Sequence, residues 1–128
     1  SKMLKEANLR PTKQRVSLVA NIYKYGNRHV SAESLHKEIL DTGYNVSLAT
    51  VYNTLRHLTN LGFLRQVKIN AKQNYFDTNI TDHHHFFDKS NNSLIDISKD
   101  LIKIQGIPIP PKNKIVSDIE LIISIKNK

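Results

Sequence analysis

Two amphipathic helical segments stand only three residues apart, and that spacing limits the fold more than any other feature of the chain. Ser31 is a fair N-cap, with Glu33 in the first turn after it, an apolar stripe of Leu35, Ile39 and Leu40, and a stop at Gly43. Ser47 caps the next segment, in which Leu48, Val51, Leu55 and Leu58 recur at helical spacing until Gly62. Tyr44 to Val46 is all that joins them. Two helices closed by so short a turn fit a helix-turn-helix, with a plain αα-hairpin as the simpler alternative. A further helix is expected from Lys13 to Tyr25, capped by Thr12, with Val16, Val19, Ala20 and Tyr23 on one face. Ahead of it, residues 2–8 suit a short helix that Pro11 ends. After Gly62, Phe63–Ile69 and Gln73–Phe76 read as a β-hairpin turning at Asn70–Lys72. Three helices followed by a hairpin with basic residues near its tip make a winged helix.

Charge says what such a domain would meet. Among 128 residues, 19 are Lys or Arg and 11 are Asp or Glu, a net charge of +8. A surface so basic attracts polyanions, nucleic acid first and anionic membrane second. Arg10, Lys13 and Arg15 crowd the start of a helix, where positive charge opposes the helix dipole. Phosphate contact is the better reason for them. The Ser47–Leu61 helix has an outward row of Ala49, Thr50, Asn53, Arg56, His57 and Asn60, with Tyr52 at its border. Asn pairs with adenine, Arg with guanine, and Ala, Thr or an aromatic ring meets a thymine methyl. Ser47 and the first-turn N–H groups suit a phosphate. The expected DNA-binding set is therefore Arg10, Thr12, Lys13, Arg15, Ser47, Ala49, Thr50, Tyr52, Asn53 and Arg56.

The chain has no cysteine, which removes disulfides, thiolate zinc sites and thiol nucleophiles together. No run approaches the ~20 apolar residues of a membrane span. No membrane role is expected, and the expected location is the cytoplasm.

Asp82-His83-His84-His85-Phe86-Phe87 divides the basic half from an isoleucine-rich half. On extended chain, side chains alternate faces, so His83 and His85 share one face and His84 takes the other. Asp77, Asp82, Asp88 and Asp96 are close in sequence, and His29 precedes the second helix. Two His with one or two Asp suit Zn, Mn or Fe(II), while a flat ligand such as haem could take one or two of the histidines. No Glu lies near the histidines in sequence. A hydrolytic metalloenzyme is thus a remote reading, and a metal or haem buffer without a DNA role is a third. Beyond them, Ser90–Ser93 is a turn signal between strands at 86–89 and 94–97. Ile104–Pro111 is too rich in Pro for a helix, and Asp118–Ile125 reads as a last strand. So small a β-rich half has little core of its own, and pairing with a second copy is the natural way to bury its isoleucines.

These residues resemble the ferric uptake regulator (Fur) superfamily, at Leu9–Arg15, Arg28–Glu33, Ser47–Tyr52 and from Tyr75 into the histidines. Within it the chain looks most like the alphaproteobacterial iron response regulator branch (Irr), through Ser47–Leu55, Tyr75–Asn79 and Asp82–Phe87. The resemblance implies an α+β protein, a winged helix-turn-helix domain at 1–78, a hinge at 79–82 and a small β-rich α/β dimerisation and sensing domain at 83–128. It implies a non-enzymatic transcriptional regulator that binds operator double-stranded DNA as a homodimer and controls iron and haem genes. Arg10 matches a minor-groove position, and Tyr52 and Asn53 match base-facing ones. His29, Asp77, His84 and Asp96 fall on a hinge metal site, His83 and His85 near a second site. In the Irr branch His83, His84 and His85 form a haem-binding element. The cofactor expected is haem, a divalent Fe, Mn or Zn ion, or both, without a cysteine zinc site. The alternative is a metal-responsive Fur-type repressor that does not sense haem. Phe86 stands where a typical member has a hinge-site histidine, and the Pro-rich stretch replaces the usual long dimerisation helix.

Overall fold

The computed structural model describes residues 12–128. Arg10 and the helix expected at 2–8 lie outside the described residues. The chain forms two compact units, the first running to Ile80 and the second from Thr81 to Lys128.

The first unit holds α1 (Lys13–Tyr23), β1 (His29–Val30), α2 (Ala32–Asp41), α3 (Leu48–Asn60), β2 (Arg65–Lys68) and β3 (Asn74–Asp77). Each helix begins on a hydroxyl cap. Thr12 accepts from Arg15 N, Ser31 from Ser34 N and Ser47 from Thr50 N, each satisfying an amide that has no partner inside the helix. Gly43 and Gly62 follow α2 and α3 at φ +91° and +85°, a left-handed conformation that favours glycine and lets the chain leave the helix. The three helices pack around Leu18, Ile22, Leu35, Ile39, Val51, Leu55 and Leu58, closed by Phe76 of β3.

The buried faces differ from the spacing-based expectation in two places. Val16 is 41% exposed, and α1 turns Leu18 and Ile22 inward instead. Apolar residues run nearly around this helix, so periodicity alone does not select the face. In α3, Leu48 is exposed while Thr54 is buried, its hydroxyl donating to Thr50 O at 2.8 Å. That back-bond makes a buried threonine tolerable.

The sheet of this unit runs β1-β3-β2, all antiparallel, with His29 opposite Asp77 and Val30 opposite Phe76. The strand at β1 is only two residues long and carried no sequence signal. Arg28, just before it, ties the unit together. Its guanidinium makes a bidentate pair with Glu38 at 2.8 and 2.9 Å. It also donates to the orphan carbonyls of Asn21 and Ile22 near the end of α1. Its backbone N–H donates to Thr78 Oγ1, and Thr78 N–H returns a bond to Arg28 O.

The second unit is a three-stranded sheet in the order β5-β4-β6, from β4 (His83–Asp88), β5 (Ser93–Ser98) and β6 (Ile122–Ile125). β4 and β5 form the expected hairpin, which begins at His83 and so includes all three histidines. β6 lies parallel to β4 on its other side, His85 opposite Ile122. A parallel neighbour requires a crossover, usually a helix. Here it is a 3-10 turn at Lys99–Leu101 and then irregular chain through the prolines. Phe87, Leu94 and Ile97 are the buried apolar residues of this small unit.

Candidate metal centre and nucleic-acid interface

Cross-strand register builds the metal centre. Residues opposite each other on paired strands share a face. His85 is opposite Asp96, and His83 lies two residues along on the same face. The imidazole Nε2 atoms of His83 and His85 stand 3.2 and 3.3 Å from one oxygen, Asp96 Oδ1. The two rings are 4.5 Å apart. From β6's side, Glu120 brings Oε1 to 3.4 Å from His85 Nδ1. His83 and His85 are buried.

Tautomers decide what this group can do. A neutral imidazole has one N–H and one lone pair. His83 Nδ1 lies 2.6 Å from the Thr81 carbonyl, an acceptor, so Nδ1 carries the hydrogen. Its Nε2 lone pair then faces an oxygen of Asp96. His85 has a carboxylate oxygen at each ring nitrogen, and a neutral ring can donate to only one of them. Lone pairs thus meet lone pairs unless a positive charge stands among them, an imidazolium proton or a metal ion. The Thr81 contact is also the arrangement that orients a metal-ligating histidine, N–H to a backbone carbonyl and lone pair to the ion. Two imidazoles and two carboxylates, with no sulfur, suit Mn(II), Fe(II) or Zn(II). The donor set fits such a cation.

His84 behaves differently. Its register partner is Ile97, on the opposite face from Asp96. Its Nδ1 accepts a 2.9 Å bond from Leu121 N–H, so its lone pair is used and Nε2 carries the hydrogen. Grouping His84 with Asp96 in one site is therefore not what the fold builds; Asp96 stands with His83 and His85. As a metal or haem ligand, His84 would have to surrender the Leu121 bond. Phe86 shares His84's face, so it leaves no gap among the donors around Asp96. In the first unit His29 Nε2 lies 3.1 Å from Asp77 Oδ2, with Asp77 buried and its Oδ1 accepting from Asn79 N–H. Glu120 and Thr81 were missed by sequence reading. Glu120 lies 35 residues beyond His85, and only the parallel pairing of β6 brings it in.

The residues expected to meet nucleic acid that are described lie in the first unit. Thr12 and Ser47 are engaged as helix caps, and Lys13 is exposed beside Thr12. Arg15, Thr50, Asn53, Arg56, His57 and Asn60 line one cleft of about 420 Å³. Tyr52, Arg56, Thr59, Asn60, Gln66, Lys68, Ala71 and Asn74 line a second, of about 470 Å³, between α3 and the hairpin. Arg56 and Asn60 belong to both, as the ridge between two grooves. The Tyr52 ring is half-buried, edge-on to Phe76 at 6.3 Å, with the Arg56 guanidinium 5.9 Å above it. Ala49 and Asn53 are exposed on the same helix. His36, expected as a surface or phosphate-contact residue, instead bonds the Val46 carbonyl at 2.8 Å and steadies the turn before α3. No described helix is long and apolar enough to cross a membrane.

Comparison with known proteins agrees with this geometry. Residues 6–123 match the ferric uptake regulator family. The chain is 31% identical over 113 residues to the ferric uptake regulation protein of Shigella flexneri, covering 88% of this chain and 76% of that one. The Escherichia coli K12 protein is 30% identical over the same span and shares. Among solved structures, the Vibrio cholerae ferric uptake regulator superposes with TM-score 0.76 at 23% identity, covering 98% of both chains. The Francisella tularensis regulator, solved with iron, gives 0.74 at 19% identity over 94% of this chain and 92% of that one. That of Pseudomonas aeruginosa, solved with manganese, gives 0.70 at 21% over 99% and 96%. A winged-helix unit, a small sheet unit bearing a His/carboxylate centre, and a family match across nearly the whole sequence agree: the chain belongs to the ferric uptake regulator family, whose members are metal-responsive transcription regulators and not enzymes.

Proposed function

We propose that this protein binds operator DNA as a homodimer in the cytoplasm and that a divalent metal at His83, His85 and Asp96, with Glu120 beside them, governs that binding. The observation that carries the reading is the facing of imidazole and carboxylate acceptors around Asp96 Oδ1, which a cation relieves. His29 and Asp77 are a second donor pair, on the DNA-reading unit. Iron and manganese in the Francisella tularensis and Pseudomonas aeruginosa relatives make those ions the first to test. DNA contact falls to Lys13, Arg15, Thr50, Asn53 and Arg56 around the α3 ridge, with Arg10, Thr12, Ser47, Ala49 and Tyr52 completing the set. The wing residue Lys68 lies along phosphate. Membership of the ferric uptake regulator family supports control of iron genes as the role to test. A haem-sensing, Irr-like version rests on the Asp82–Phe87 motif, and the hydrogen bond to His84 Nδ1 opposes it at that residue.

Calorimetric titration of the metal-stripped protein with Mn(II) tests the site. Asp96→Asn keeps the side-chain shape and removes the charge shared by both histidines. It is expected to weaken Mn(II) binding at least tenfold. Unchanged affinity in that variant would remove the proposed centre. Titrating haem in parallel separates the two readings: a Soret shift lost in a His83/His84/His85 triple-alanine variant would favour haem.

A further inference from the structure

Asn53, Arg56, His57 and Asn60 stand at i, i+3, i+4 and i+7 on α3, the spacing of a single helix face, and all four are exposed. The proposed operator contacts include only two of them, Asn53 and Arg56. The neighbouring hydroxyls are committed inside the helix. Thr54 and Thr59 donate to the carbonyls of Thr50 and Leu55, and Thr50 Oγ1 accepts from Ser47. The side chains of Asn53, His57 and Asn60 have no hydrogen-bond partner among the described residues. His57 and Asn60 are therefore as free to meet a ligand as Asn53 is.

A cation flanks the stripe on each side. Arg15 of α1 lines one cleft with Asn53, His57 and Asn60, and Lys68 of β2 lines the other with Arg56 and Asn60. Among the described residues, no carboxylate lines either cleft. A duplex presents two phosphate strands with base edges between them, in a major groove about 12 Å wide. Cations on both flanks with hydrogen-bonding side chains between them match that order, charge to phosphate and stripe to bases. The length fits as well. Seven residues of helix rise about 10.5 Å, close to three base-pair steps of about 3.4 Å each. His57 lies about 6 Å along the axis from Asn53, far enough to reach a different base pair. Chemistry then selects the bases. An imidazole N–H donates to the N7 of a purine, and a carboxamide pairs with both N6 and N7 of adenine.

We propose that His57 and Asn60 are specificity-determining residues, His57 donating from its ring to a purine N7 and Asn60 pairing with an adenine, at base pairs beyond the one that Asn53 reads. This rests on operator binding as the protein's function and adds two selected positions to the half-site.

Selection from a randomised duplex library by the full chain with Mn(II) present, followed by anisotropy across a salt series, tests it. The parent protein is expected to enrich a motif with a purine that His57→Ala no longer selects and an adenine that Asn60→Ala no longer selects. On the parent's motif, His57→Ala should lose about fivefold in affinity, the size of one hydrogen bond. Asn60→Ala should lose about tenfold, the size of a bidentate base contact. Affinity for a random duplex and the salt slope should stay at the parent's values. Both positions are exposed and alanine is a good helix former, so the melting temperature should not fall. A motif unchanged in either variant would overturn the proposal. So would equal losses on selected and random duplexes with the salt slope reduced by about one unit, the mark of a phosphate contact. A parent protein that enriches no motif would instead remove operator binding itself, so the two failures are distinguishable.

Discussion

Arg28 shows how one side chain can serve two parts of a fold. It holds Glu38 of α2 and the last carbonyls of α1, while its backbone is bonded to Thr78, next to Asp77. The guanidinium hydrogen bonds hold the Glu38 carboxyl below its ordinary value of 4.5, and the same pairing raises Arg28. A carboxyl whose folded pKa is depressed contributes stability that is fully present above the unfolded pKa. That contribution is lost as pH falls through the lower folded value. Glu38→Gln is thus expected to lower the melting temperature near neutrality, with the gap from the parent protein closing as pH drops below the usual glutamate range. Thermal melts from pH 7 to pH 3 check this; a gap independent of pH would contradict it. Residue-level legibility was uneven. His83, His85 and Asp96 were visible as ligand types, and period-2 alternation correctly separated His84 from its neighbours. Glu120 was not visible, because a parallel pairing of β6 brings it in, which spacing cannot announce.

At the scale of elements, the recognition helix and its wing were the most legible part of the chain. Ser47 and Gly62 bracket α3 closely, and the apolar residues Val51, Leu55 and Leu58 turn inward as their spacing requires. What spacing did not provide was which face of α1 is buried, or that Thr54 replaces Leu48 in the core. The two clefts beside Arg56 give DNA contact a specific form. Arg56→Ala should cost about 1–3 kcal/mol in operator affinity, the worth of a base-reading pair, and relax sequence preference. Lys13→Gln should weaken all duplexes alike and reduce the salt slope by about one unit. Fluorescence anisotropy across a salt series distinguishes them. Equal losses on specific and random duplexes for Arg56→Ala would demote it to a phosphate contact.

For the whole molecule, the isoleucine of the second half is the unresolved expense of the fold. Ile109 and Ile115 are 95% and 88% exposed, and Ile123 of the edge strand β6 is 40% exposed. An edge strand with unpaired backbone groups and apolar side chains is a template for a second chain. Ile123→Lys is expected to move the light-scattering mass from twice 14.7 kDa toward 14.7 kDa. A parent protein already monomeric at micromolar concentration would contradict the homodimer. The two-part organisation was legible from the change in composition at the histidines. The crossover that makes β6 parallel was not, because the Pro-rich stretch carries no periodic pattern. A metal held at Asp96 that controls DNA binding would act as an allosteric effector, and couplings of this kind usually amount to about 5–150-fold in affinity. The direct measurement is anisotropy on an AT-rich inverted-repeat duplex, with metal-stripped protein, with Mn(II), and with Asp96→Asn under both conditions. Mn(II) is expected to change the affinity of the parent protein at least tenfold and to leave Asp96→Asn unmoved; equal affinity of the parent protein with and without Mn(II) and Fe(II), or a full metal response in Asp96→Asn, would show that no metal at Asp96 controls DNA binding.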